Sequence, residues 1–274
     1  MAEFKSWSSY RDFAHGIRRQ RRYIRSKEDE EFLHEVLRTS RARVRRMPKG
    51  FSLWRAQLDH GLRKAYQDGK YMGELECALT PERMKPLSER AKEGRANPKG
   101  IPVLYLSTRA ETAMSEVRPW IGLLVSCAVF ETTRELRLVD LSVTDGDGFT
   151  FYFEQPDATK KEEAVWADID AAFSEPVTSQ DDTADYGPTQ VISEWFRTNG
   201  FDGVAYKSAF GKDGYNVALF NLEDARLKSC TLHAVRAAHF QFDQIDNPYW
   251  VEDDGTIKTM TIEVLGPADP SPNK

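Results

Sequence analysis

The chain has 274 residues, 40% of them apolar and 30% charged, with a net charge of −5 and a pI near 5.7. That composition supports a globular protein with a sizeable core, in one large domain or two small ones, and its acid excess argues against a general nucleic-acid binder. The charge is unevenly spread: residues 1–50 hold fourteen Lys and Arg against seven Asp and Glu, about +7, which leaves about −12 on the remainder.

In chain order, residues 8–46 read as two helices. The second opens near Ser26, with Glu28 to Glu31 in its first turn, where carboxylates suit the helix dipole, and with Phe32, Leu33, Val36 and Leu37 as a packing stripe. Pro48-Lys49-Gly50 ends it, so residues 1–48 are expected as a basic helical extension that docks on an acidic surface of its own chain, a second subunit or a partner. Phe51 to Gln57 reads as a strand with Arg55 among apolar neighbours, and residues 59–100 as a mixed, loop-rich stretch punctuated by Pro81, Pro86 and Pro98. The apolar run Ile101 to Leu106 is a buried strand, after which Ser107 or Thr108 caps a helix whose second turn carries Glu116.

Further strands are expected at about 122–130 and 136–141, and a helix at 160–173 stacks Val165, Ile169 and Phe173 on one face. Asp145-Gly146-Asp147-Gly148 reads as a turn, because Phe149 stands where a calcium loop needs its third ligand. Gly187-Pro188 opens another helix, closed by Asn199-Gly200, and the strand Gly203 to Tyr206 then delivers Ser208. Strands resume at 215–220 and 227–242, an alternating run at Met260, Ile262 and Val264 suggests a last strand, and residues 266–274 form a polar, Pro-rich tail expected to be disordered. Cys77, Cys127 and Cys230 show no CxxC spacing and the five histidines are scattered, so neither a disulfide framework nor a metal site is expected. The longest apolar run, Ile121 to Phe130, is too short for a bilayer and the N-terminus lacks a signal-peptide core, so a cytoplasmic location is expected.

The residues with chemistry each carry two readings. Arg55 is either the solvent-facing residue of a strand or a cation held for an anionic ligand, and Arg95 either a loop charge or a second such contact. Tyr105 and Tyr206 are core aromatics or platforms for a flat ring, and Glu116 is an exposed helical carboxylate or one that stabilises positive charge. Ser208 is a turn residue or a hydrogen-bond partner, with no G-x-S-x-G elbow to make it a nucleophile, and Asn216 is a strand-end amide or an orienting group.

Six pieces, taken together, turn the reading of Arg55 toward the anionic ligand. They are Leu53-Trp54-Arg55-Ala56, Arg95-x-Asn97-x-x-Gly100, Leu104-Tyr105-Leu106-Ser107, Ser115-Glu116, Gly200-Phe201-Asp202-Gly203-Val204-x-Tyr206-x-Ser208 and Asn216-x-Ala218-Leu219-Phe220, in this order across residues 50–225. The ordered set resembles the RES domain family, named for its characteristic Arg, Glu and Ser. The resemblance implies an α/β fold with a split, mainly antiparallel sheet related to ADP-ribosyltransferases, spanning residues 49–265. It also implies cleavage of NAD at the nicotinamide–ribose bond, often as the toxin of a pair with an Xre-type antitoxin. The alternatives are transfer of ADP-ribose to a macromolecule and a non-catalytic nucleotide-binding module.

On that resemblance Glu116, Arg55 and Ser208 are the expected catalytic residues, and Arg55, Arg95, Tyr105, Tyr206 and Asn216 the expected NAD contacts, with no cofactor beyond NAD as substrate. A homo-oligomer is expected and a nucleic-acid partner is not. The family's toxins are commonly shorter, which makes residues 1–50 and the strands after 240 additions. The order Arg, Glu, Ser also differs from the Arg, Ser, Glu order of many ADP-ribosyltransferases, so roles pass between those families by analogy alone.

Overall fold

Alternation of apolar side chains sets the architecture. The computed structural model describes residues 3–87, 90–143, 152–175, 183–210, 214–239, 242 and 249–259. Among them one eight-stranded sheet runs in the order β1 (Val44–Met47), β7 (Leu136–Leu141), β8 (Gly203–Lys207), β9 (Tyr215–Leu219), β5 (Leu104–Ser107), β2 (Ser52–Leu58), β6 (Leu124–Thr132) and β10 (Ala225–Ala234). Every neighbouring pair is antiparallel except β7 and β8. Between β5 and β2 the register shrinks to the single pair Trp54 and Ser107, so this is where the sheet is split. The fold is therefore the mixed α/β, mainly antiparallel one that the resemblance implied.

Side chains of period two divide the core between the sheet's faces. Val139, Leu141, Val204, Tyr206 and Ala218 belong to one cluster, while Leu136, Leu138, Ala205, Val217 and Leu219, one step along each strand, belong to the other. The first cluster is completed by α1 (Ser9–Arg19), α2 (Lys27–Ser40), α5 (Ala158–Ser174) and α6 (Gly187–Thr198). A full capping box starts α2, in which Ser26 accepts from the Asp29 amide and Asp29 accepts from the Ser26 amide. Phe32, Leu33 and Val36 are buried against Phe13 and Ile17 of α1, so the expected docking stripe is used within this chain.

Contacts divide the chain into Met1–Arg236 and Ala237–Lys274, and α1 and α2 supply a large part of the first cluster. The second unit contains a hairpin, β11 (Tyr249–Val251) with β12 (Ile257–Thr259), which the sequence reading did not contain. Three further expectations need correction. Residues 44–47 are not helix but β1, an edge strand paired to β7, with Arg43 and Arg45 drawn into ion pairs with Asp170 and Asp140. The loop-rich stretch 59–100 contains a hairpin, β3 (Gly61–Gln67) and β4 (Lys70–Cys77), followed by the short helix α3 (Pro81–Met84). Its turn is Asp68-Gly69, both with positive φ (49° and 77°), the left-handed pair that a tight hairpin demands. The strand expected at 227–242 is β10, which ends at Ala234. The Asp145–Gly148 turn, the Met260–Val264 strand and the 266–274 tail lie outside the described residues.

Candidate functional site

The split and the alternation together build a cleft. Trp54 pairs with Ser107, Ser107 with Asn216, and Asn216 with Tyr206, so one row of side chains crosses β2, β5, β9 and β8. Over it lies α4 (Ala110–Glu116). Trp54, Arg55, Tyr105, Glu116, Tyr206 and Asn216 are among the walls of a cleft of about 280 Å³.

The position of Glu116, the last residue of α4, is fixed from the β9 side. Ser107 and Thr108 do not cap α4: its N-cap is Arg109, without a side-chain bond. Thr108 instead exchanges bonds with Tyr215, its amide donating to the carbonyl at 2.9 Å and its hydroxyl accepting from the amide at 3.0 Å. Thr112 abuts Gly214 so tightly that a Cβ there would stand 1.9 Å from the Thr112 hydroxyl oxygen, and only glycine permits that approach. The carboxylate then takes two donors on one oxygen: Ser208 Oγ at 2.7 Å and Asn216 Nδ2 at 2.5 Å, both to Oε1. Ser107 Oγ in turn donates to Asn216 Oδ1 at 2.8 Å. Thus the serine, the glutamate and the amide expected from the sequence are joined, and Ser107, read there as a helix cap and as the end of the Leu104–Ser107 motif but given no role in the site, joins them.

Arg55 Nη1 reaches across the split to the Tyr105 carbonyl at 3.0 Å. Its Nε is buried without a partner, and among the described residues no carboxylate pairs with it. Desolvation pushes this guanidinium down to about 10. Tyr105 turns its hydroxyl away from the row, donating to Asn97 Oδ1 at 2.7 Å and accepting from the Ala96 amide at 2.9 Å. Burial raises the pKa of both Tyr105 and Tyr206, so both remain neutral phenols.

Arg95 is placed differently from the expectation. It is absent from the cleft walls: its Nη1 donates to the Ala172 carbonyl at 2.5 Å and its guanidinium lies 5.8 Å from the Tyr186 ring centre. A cation at the last turn of α5 complements the exposed carbonyls there, a contact that fastens the loop to that helix. Asn97 is structural as well, its amide donating to the Lys92, Pro98 and Ile101 carbonyls. Buried Gln190 of α6 holds the same loop through the Gly94 and Asn97 carbonyls, each at 3.0 Å. The apolar wall formed by Trp54, Ala56, Ala113 and Val117 was also missed, because each residue alone reads as ordinary core.

Among the described residues no three His, Cys, Asp or Glu side chains are grouped to hold a metal ion, and no helix is long and apolar enough to cross a membrane. The RES domain family model matches residues 52–243, more than half of the chain. A chain from the crystal structure of the M. tuberculosis MbcT–MbcA toxin–antitoxin complex is similar at 17% identity and a TM-score of 0.39, over 73% of this chain and 92% of that one. A likeness of that size carries no argument about activity. No curated protein matches.

Proposed function

This chain belongs to the RES domain family, and on that premise we propose that it cleaves NAD at the nicotinamide–ribose bond, with water or inorganic phosphate as acceptor. The observation that carries the reading is Arg55, a desolvated guanidinium in the cleft wall with an idle Nε and, among the described residues, no carboxylate partner, beside a carboxylate tethered through one oxygen. A buried cation without a counter-ion is costly unless an anionic ligand supplies one, and the guanidinium fork suits the oxygens of a pyrophosphate.

Cleavage breaks the ribose C1′–N bond, and the electron pair leaves with neutral nicotinamide. Positive charge builds on C1′ and the ring oxygen, and Glu116 stabilises it or orients the ribose hydroxyls. A water or phosphate oxygen then bonds to C1′; a water acceptor gives up its proton to solvent. Tyr206, Tyr105 and Trp54 supply ring surface for the flat bases, while Ser208 and Asn216 hold the carboxylate. No second carboxylic acid is required, because the leaving group needs no proton. The proposed partner is an Xre-type antitoxin, and self-association as a homo-oligomer is part of the same family-based reading.

One observation favours transfer of ADP-ribose to a macromolecule instead: the β3–β4 hairpin exposes Leu62, Tyr66, Tyr71, Met72 and Leu75 beyond the strand that carries Arg55, which is a surface for an acceptor. One experiment separates the readings. Purified protein is incubated with NAD, with and without phosphate, and the products are identified by mass. Free nicotinamide with ADP-ribose or its 1-phosphate supports cleavage, label on a macromolecule supports transfer, and absence of turnover overturns both.

A further inference from the structure

Resting on that reading of the cleft, we infer that Ser107 is a positioning residue of the reaction, and that through Asn216 it makes Glu116 present one oxygen, Oε2, to the substrate. The argument begins with the amide of Asn216, which is two-faced. Its NH2 group donates and its oxygen only accepts, so a carboxylate neighbour is favoured on one side of it alone. Nothing in an amide's shape selects that side. The acceptor-only carboxylate favours Nδ2 on its side, and the Ser107 hydroxyl, buried in the row between β2 and β9, fixes the amide there by donating to Oδ1. With Oδ1 so held, Nδ2 faces Glu116 Oε1, and a flipped amide would bring two acceptors into contact.

Ser208 adds its own donor to the same Oε1, itself oriented by the Phe210 amide, which donates to the serine oxygen at 3.0 Å. Oε1 therefore carries both tethers, while among the described residues Oε2 accepts none. A carboxylate held by one oxygen keeps its remaining lone pairs pointed in a fixed direction, which is what stabilising a charge at C1′ or gripping a ribose hydroxyl demands. The remainder of the site is consistent with this role. Thr108 and Tyr215 fasten the start of α4 to β9, and Thr112 against Gly214 fastens its middle, so the helix cannot drift to compensate for a misplaced amide.

The test uses the full chain with Ser107→Ala, Ser107→Thr and Asn216→Asp variants, each checked for folding by its thermal melt. For Ser107→Ala the expected result is a kcat lower by about tenfold with the KM for NAD near that of the wild type, since one hydrogen bond to a positioning group is lost. Ser107→Thr, which keeps the hydroxyl, recovers most of the rate. Asn216→Asp places two carboxyl groups in contact, and they share one proton. The protonated form still donates to Oε1, so this variant works at low pH and loses activity as rising pH removes the shared proton, a limb that the wild type lacks.

Activity is not the only readout. The side-chain amide of Asn216, bonded to a carboxylate, gives a displaced NMR resonance that should move in both Ser107→Ala and Glu116→Gln. An unmoved resonance in Ser107→Ala, or wild-type kcat in that variant, overturns the inference. A wild type that never turns NAD over overturns the proposed function instead, and the amide resonance still decides the role of Ser107.

Discussion

Arg43 and Arg55 are both drawn out of solvent, and they solve the same electrostatic problem in opposite ways. Arg43, joining the N-terminal layer to the sheet, donates to both oxygens of Asp170 at 3.1 and 3.0 Å and to the Asp140 carbonyl at 3.3 Å. It also lies 4.2 Å from the Trp166 ring centre. Arg55, in the cleft, has one carbonyl and an unpartnered Nε. A buried cation with a full set of partners is a fastener; one without a counter-ion is built to receive a ligand. An Nε without a hydrogen-bond partner is not confined to the cleft, for Arg18 and Arg25 also carry one; what marks the cleft is an open guanidinium beside a carboxylate tethered through one oxygen.

The largest expected effect tests whether the N-terminal layer is indeed structural. Deleting residues 1–46 removes Phe4, Phe13, Ile17, Phe32, Leu33 and Val36 from the first core cluster. Loss of several such side chains, each worth about 2–5 kcal/mol, exceeds the stability of an ordinary domain, so the truncated chain should show no cooperative melt by circular dichroism. A truncated protein that melts like the full chain would mean that the layer is a dispensable extension after all.

Next comes the pair of arginines itself. Arg43→Ala removes the ion pair of the buried Asp170 and should cost about 3–5 kcal/mol in a denaturant titration. Arg55→Ala removes a desolvated cation that no carboxylate compensates, so its stability should be unchanged or slightly higher. Equal destabilisation by the two changes would erase the distinction between fastener and ligand site.

How far these regions were legible in the sequence follows from the same physics. Strands buried on both faces, such as β8 and β9, leave short, mostly apolar runs that are visible in one dimension. The β3–β4 hairpin is exposed on both sides, so neither strand has a buried stripe, and only the Asp68-Gly69 turn betrays it. β1 is two arginines between Val44 and Met47, indistinguishable from a helix end until β7 pairs with it. In the site, Arg55, Glu116, Ser208 and Asn216 were visible because an ordered set of motifs named them. Ser107 ends one of those motifs too, but its role was not legible, since its partner Asn216 lies 109 positions away and a strand-end serine resembles a helix cap. The bond that Arg95 makes was not legible for the converse reason: a loop arginine before a strand says nothing of the carbonyl on α5 that it meets.

Within the cleft, Glu116→Gln keeps volume and removes charge. It should lower kcat for NAD cleavage by about a hundredfold while the melt is unchanged. Wild-type turnover in this variant would move the carboxylate out of the chemistry and leave the donors on Oε1 as ordinary structural bonds.

The smallest effect is the finest test of what Arg55 is for. Arg55→Lys keeps the positive charge but replaces a planar fork with a single ammonium, which cannot hold the Tyr105 carbonyl and also pair with two ligand oxygens. If the open donors serve a pyrophosphate, the lysine should bind NAD about tenfold more weakly, seen as a higher KM with kcat little changed, and ADP-ribose should lose affinity as an inhibitor in the same proportion. If instead the cleft needs only a cation near the reacting ribose, the lysine should restore KM fully and any loss should fall on kcat. The split between KM and kcat in this one variant therefore says whether Arg55 grips the phosphates or shapes the field around C1′, and a lysine variant with both constants unchanged would show that the idle Nε has no part in ligand recognition.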